Sequence, residues 1–233
     1  SVIGLGIQDS LRRAVPWIEP SHFPKLTDRF RYHYLAKDHE LDLFVGIREL
    51  LENLREDKYL LGVATGKSRV GLDRSLKHHQ IGHLFHETRT ADESFSKPHP
   101  GMLLELSDVT QVPTRRMLMI GDTTHDLDMA ANAGVDAVAV TYGAHPPDTL
   151  KTSPSLAHVD DVADRTDVDR AADAGGHAVG GEPAHEGGLG LLLRHGHGGD
   201  LAHAVAPLAV GGRGVVGAVV EARARLRGVE AEV

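Results

Sequence analysis

The sequence predicts an α/β protein, a parallel sheet covered by helices on both faces, with a small helical unit ahead of it. Three observations predict it. Short apolar runs alternate with amphipathic stretches between residues 47 and 140. Strands buried on both faces read as such unbroken runs, because each crossover lays a helix on the sheet. The runs end in polar, glycine- or proline-bearing loops, where an open parallel sheet places its ligands. Ahead of them, Leu11, Val15, Trp17, Phe23, Leu26, Phe30 and Tyr34 follow a helical register rather than an alternating one.

Each element has its own signal. Ile47, Leu50, Leu51 and Leu54 recur at helical spacing, and residues 59–64, Tyr-Leu-Leu-Gly-Val-Ala, predict a buried strand ending in Thr65-Gly66. Val70 to His79 carries Leu72 and Leu76 four apart, a second helix, and Leu84-Phe85 leads into a short strand ending near Thr90. Pro98 to Leu106 is expected as a third helix, with Pro98 in the first turn, where a missing N–H costs nothing. Met117 to Ile120 is a strand ending in Gly121-Asp122. Leu127 to Ala133 is a helix closed by Gly134, and Ala137 to Val140 is the next strand.

Composition bounds the function. The 233 residues carry a formal net charge of −8, which argues against a general nucleic-acid binder. Cysteine is absent, which removes disulfides, thiolate metal sites and cysteine nucleophiles together. No run of about 18 uncharged apolar residues exists, and the first residues lack the order of a signal peptide, so a cytoplasmic protein without membrane contact is expected.

The last third differs in kind. Every aromatic residue lies between Trp17 and Tyr142, and the last lysine is Lys151. From Asp167 to Val233 only Asp, Val, Arg, Ala, Gly, His, Glu, Pro and Leu occur, all types with a codon beginning in G or C. Types without such a codon number 51 in residues 1–166 and none in the 67 that follow, against typical usage. The pattern fits an out-of-frame translation of a GC-rich gene; a Gly/Ala/His-rich natural tail is the alternative. Residues 164–233 are therefore expected to be unstructured.

Three polar clusters fall at strand ends: Thr65-Gly66-Lys67-Ser68, Ser96-Lys97-Pro98-His99-Pro100, and Gly121-Asp122-Thr123-Thr124-His125-Asp126. A hydroxyl with N–H groups at a helix start holds an anion, a lysine neutralises it, and paired carboxylates on a turn hold a hard cation. Together they describe a magnesium-dependent phosphate site. Blander readings exist for each. Thr65 alone suits a strand-end cap, Lys97 a solvated loop, Asp126 a helix cap and His125 the surface. Asp122 follows an apolar strand directly, where a carboxylate is costly unless paired. Gly66-Lys67-Ser68 does not complete a nucleotide-binding loop, since the first glycine would have to be Leu61. The histidine pairs lack partners at zinc-ligand spacing.

These clusters, in this order and spacing, resemble the haloacid dehalogenase-like superfamily, the phosphoglycolate phosphatase-like group in particular. The resemblance covers about residues 2–163 and implies a Rossmann-like parallel sheet with helices on both faces. By it, Thr65 is the strand-end residue binding the phosphoryl group, Lys97 the lysine of the third motif, and Gly121 to Asp126 the GDxxxD motif. The catalytic residues it implies are Thr65, Lys97 and Asp122; the phosphate-binding residues are Thr65, Gly66 and Lys97; the Mg²⁺ ligands are Asp122 and Asp126. Residues 1–40 become a partial helical cap and 41–163 an incomplete core. That core lacks its first strand, because the DxDGT-like motif carrying the nucleophilic aspartate does not occur here. The implied function is hydrolysis of a small phosphorylated metabolite through a phosphoaspartyl intermediate, with this chain expected to be inactive as it stands. A phosphosugar mutase of the same superfamily and a catalytically dead phosphate- or partner-binding protein are the alternatives. The sequence leaves the oligomeric state open.

Overall fold

The computed structural model describes residues 2–37, 42–162, 208–209 and 215–221. Helices α1 (Ile7–Ala14) and α2 (Phe23–Lys37) form the leading helical unit. They bury little: Trp17 between them is 77% exposed. From α3 (Ile47–Glu56) onward strand and helix alternate, through β1 (Leu60–Thr65), α4 (Arg69–His78), β2 (Glu87–Thr90), α5 (Gly101–Thr110), β3 (Met117–Gly121), α6 (Thr124–Ala133), β4 (Asp136–Val140), the short α7 (Pro147–Leu150) and β5 (Ala157–Val159). Two strands follow much later in the chain, β6 (Leu208–Ala209) and β7 (Val215–Glu221).

The apolar runs become strands because their side chains alternate between two covered faces. Leu61, Val63, Leu118, Ile120, Val138 and Val140 pack with Ile47, Leu51 and Leu54 of α3 and Leu72 of α4. On the opposite face Ala64, Met117, Met119, Ala137 and Ala139 pack with Met102, Leu103 and Leu106 of α5 and Leu127 and Ala130 of α6. Burying a leucine-sized side chain stabilises by about 1.5–3 kcal/mol, so these two layers hold the domain together. No helix among the described residues is long and apolar enough to cross a membrane.

Three expectations are corrected. The third helix starts at Gly101, not Pro98; Pro100 stands at its N-cap, and Ser96 to His99 form a loop with a cis Lys97–Pro98 bond. The sheet is also not purely parallel. Its order is β2-β1-β7-β3-β4-β5, with β7 antiparallel to both β1 and β3 and β6 paired to β7. The expectation of an unstructured tail thus fails for Leu208–Ala209 and Val215–Glu221; the other residues of 164–233 lie outside the described residues. The physical reason is a slot. β1 and β3 run parallel, each presenting unpaired N–H and C=O groups to the other, and an extended, valine-rich segment satisfies both edges at once.

Candidate active site

The C-terminal ends of β1 and β3 and the loop after β2 converge. Thr65 closes β1 fully buried, registered beside Thr90 of β2. Its Oγ1 accepts the Lys67 N–H at 3.1 Å. Ser68 caps α4, its hydroxyl accepting the Gly71 N–H. Lys67 itself donates to Ser75 Oγ at 2.7 Å, on the flank of α4. Gly66 has no room for a side chain: a Cβ there would lie 2.6 Å from the Gly4 carbonyl oxygen and 2.7 Å from that of Leu5. The turn ahead of α1 is therefore seated directly on the loop that follows β1.

Lys97 is 2% exposed, and its Nζ donates to Asp126 Oδ1 at 2.5 Å. Asn132 of α6 holds this loop from outside, its amide donating to the Pro98 carbonyl at 2.9 Å. The GDxxxD turn is more constrained still. Asp126 Oδ2 accepts both the Thr123 N–H at 3.1 Å and the Thr123 hydroxyl at 2.6 Å, while Thr123 Oγ1 accepts the Asp126 N–H. That reciprocal pair caps α6. Both Asp126 oxygens are thereby engaged, Oδ1 by Lys97 and Oδ2 by Thr123, so the carboxylate is the counter-ion of Lys97 and the cap of α6.

Asp122 differs. It is fully buried, its Oδ2 accepts the Ala144 N–H at 2.6 Å, and its Oδ1 has no hydrogen-bond partner. Burial, with Asp126 nearby, pushes its carboxyl up to about 7, against the pull of the Ala144 N–H and Lys97. A buried carboxylate oxygen without a donor suits a hard cation, which takes oxygen ligands, so the residues present fit Mg²⁺ at Asp122. Among the described residues no group of three or more His, Cys, Asp or Glu forms a metal cluster.

The structure brings Lys97, Asp122 and Asp126 together. It leaves Thr65 two strands away from Asp122, about 10 Å by inter-strand spacing, because β7 lies between β1 and β3. The residue registered with Thr65 is Val216, and the acidic residue of β7, Glu221, pairs with Leu60 and Met117 at the opposite end. No carboxylate of β7 therefore stands level with Thr65. His125, expected at the surface, is 8% exposed, its ring edge-on to His145 with centroids 5.7 Å apart. Sequence reasoning reached Gly143 but missed the roles of Ala144 and His145 in the turn it opens. Its only local signal is a glycine following a buried strand. A Cβ at Gly143 would lie 2.0 Å from Asp122 Oδ2, so the turn can close on that carboxylate only as glycine. Burial lowers the His145 imidazole below the usual histidine range, helped by His125.

Comparison with known proteins agrees. A family model for haloacid dehalogenase-like hydrolases matches residues 1–140. A phosphoglycolate phosphatase of Mannheimia succiniciproducens is 32% identical over 151 residues, 60% of this chain and 67% of the relative. One from Aliivibrio fischeri is 34% identical over 117 residues, 49% of this chain and 52% of the relative. The chain thus spans between about half and two thirds of these relatives' lengths. The crystal structure of a predicted phosphoglycolate phosphatase from Haemophilus somnus 129pt superposes with a TM-score of 0.62 at 27% identity, covering 68% of this chain and 75% of that one. A β-phosphoglucomutase from Clostridium difficile, at 20% identity and TM-score 0.59 over 67% of this chain and 71% of that one, shares the fold. Strand-end motifs, α/β core and relatives converge: the chain belongs to the haloacid dehalogenase-like hydrolase family, among relatives that are phosphatases.

Proposed function

We propose that this chain carries the phosphate- and magnesium-binding half of a phosphomonoester hydrolase acting on a small phosphoglycolate-like metabolite. The observation that carries the reading is the unpartnered buried oxygen of Asp122 beside the sealed Lys97–Asp126 pair, at the end of β3. Thr65 Oγ1 and the N–H groups of the Gly66 turn would hold the phosphoryl oxygens. Lys97, its long side chain already held in place by Asp126, would set positive charge against them without reorganising. Asp122 Oδ1 would hold Mg²⁺, which when bound supplies charge against the phosphoryl oxygens. A cleft of about 690 Å³ between α1 and the Lys97 loop, lined by Leu5, Asp9, Arg13, Lys97, His99 and Asn132, would receive the leaving group. The glycolate part rests on the relatives' names.

Hydrolysis through a phosphoaspartyl intermediate needs a carboxylate level with Thr65, to attack phosphorus as the alkoxide leaves, and water to cleave the acyl phosphate. The sequence given supplies no such residue in the slot, so an inert phosphate-binding protein is the second reading, favoured by Val216 opposite Thr65. One experiment separates them. The chain as given and a fusion bearing an amino-terminal DxDGT-type strand are incubated with Mg²⁺ and 2-phosphoglycolate, and inorganic phosphate is measured. The fusion should turn over, lose activity in EDTA, and lose several powers of ten on Asp122→Asn or Lys97→Ala, while the unfused chain stays at blank. Near-normal turnover in either variant would refute the site assignment. An isomerised sugar phosphate without phosphate release would mark a mutase instead.

A further inference from the structure

We infer that His145 is a positioning residue for Asp122: its imidazole pins the Gly143–His145 turn to the start of α6, and the pinned turn fixes which carboxylate oxygen stays open. The inference rests on reading Asp122 as the cation-holding carboxylate, and it adds the group that orients it. Three bonds define the arrangement. The Thr124 N–H, at the first residue of α6, donates to His145 Nδ1 at 3.1 Å. The His145 N–H donates to the Asp122 carbonyl at 3.1 Å. Between these two anchors, the Ala144 N–H reaches Asp122 Oδ2 at 2.6 Å.

A free carboxylate rotates and exchanges its two oxygens; one fixed donor removes that freedom. Ala144 can act as that donor only while its turn stays in place, and the turn lies on a loop between β4 and α7 with no regular structure of its own. His145 supplies the anchor from the side chain, and it is 4% exposed, so water cannot compete well for the bond. The partner it uses is chemically apt. The first N–H groups of a helix have no intrahelical acceptor. Thr123 Oγ1 takes the one from Asp126, and His145 Nδ1 takes the one from Thr124. One imidazole therefore completes the α6 start and clamps the Asp122 loop at once. Because Nδ1 accepts, the ring proton sits on Nε2, so the role depends on the position of the acceptor and not on positive charge.

That dependence sets the test. In asparagine, Oδ1 occupies nearly the place of histidine Nδ1; in glutamine, the side-chain oxygen sits one bond further out. Amide hydrogen exchange of Ala144 and Mn²⁺ affinity are measured for the full chain and for His145→Asn, His145→Gln and His145→Ala, with melting temperatures recorded for each. His145→Asn should keep both readouts within about threefold of the parent. His145→Gln and His145→Ala should speed Ala144 exchange at least tenfold and weaken Mn²⁺ by about 10–100-fold, the usual effect of removing a group that orients a metal ligand. Asparagine and glutamine are matched in polarity, so a general loss of stability would not separate them. If all three variants behave alike, or Ala144 stays protected in His145→Gln, the inference is overturned. If the parent chain binds no Mn²⁺, the cation reading of Asp122 fails by itself, and Ala144 exchange still decides whether His145 is the pin.

Discussion

Lys97 and Asp126 form a contact that water does not reach, both side chains fully buried and 2.5 Å apart. Such a pair is worth little against an apolar replacement, yet removing one member strands the other charge. Lys97→Met should therefore cost about 3–5 kcal/mol in urea denaturation, and Lys97→Met combined with Asp126→Asn should recover most of that loss. If the double variant is as unstable as the single one, the pair is not the source of the cost. Exposed pairs behave differently. Arg69 and Glu93 meet at 2.5 Å but are 31% and 39% exposed, and the Arg69 bond holds the Glu93 carboxyl at about 2, below its usual range. A carboxylate with a depressed value stabilises the fold above its unfolded value, and that contribution fades as pH falls toward 2. Glu93→Gln should cost less than about 1 kcal/mol at pH 7, and the gap to the parent should close between pH 4.5 and 2. A gap that widens on acidification would contradict the assignment.

Among elements, α6 carries its own start and stop: a Thr123/Asp126 box at one end and Gly134 at φ 66° at the other. Thr123→Ala removes the hydroxyl that both accepts from and donates to Asp126, and should cost about 1–2 kcal/mol, read by denaturant midpoint. Thr123→Ser should retain most of that stability; a loss equal to that of alanine would mean the hydroxyl is not what matters. Elements of this kind are legible in sequence because their signals are local. Apolar runs gave β1, β3 and β4 within a residue or so, and Gly134 marked the end of α6. The start of α5 was misplaced by three residues because Pro98 suits a first helical turn in isolation, whereas burial of Lys97 against Asp126 holds residues 96–99 as a loop. Among the proposed site residues, Thr65, Lys97 and Asp122 could be named because each lies in a polar cluster that follows an apolar run. His145 could not, since its partners Asp122 and Thr124 lie more than 20 residues away and no spacing rule links them. The same limit hid β7, a valine-rich segment whose slot exists only once β1 and β3 stand one strand's width apart.

For the whole molecule, that central position of β7 decides stability. It bonds to Leu60–Thr65 on one side and to Met117–Ile120 on the other. A chain ending at residue 209 should leave both edges open, melt earlier than the full chain, and associate through those edges in light scattering; unchanged melting would show that β7 contributes nothing. The order in which the chain is made sharpens the point. Every strand of the sheet except β6 and β7 has been synthesised by Val159, while its middle arrives only with residues 215–221. At roughly 5–20 residues per second, a ribosome needs several seconds to travel from β3 to β7. Throughout that interval the nascent domain holds two halves of a sheet with nothing between them. Any extended peptide nearby, from a neighbouring copy or a chaperone's client site, competes for the gap before the chain's own strand emerges.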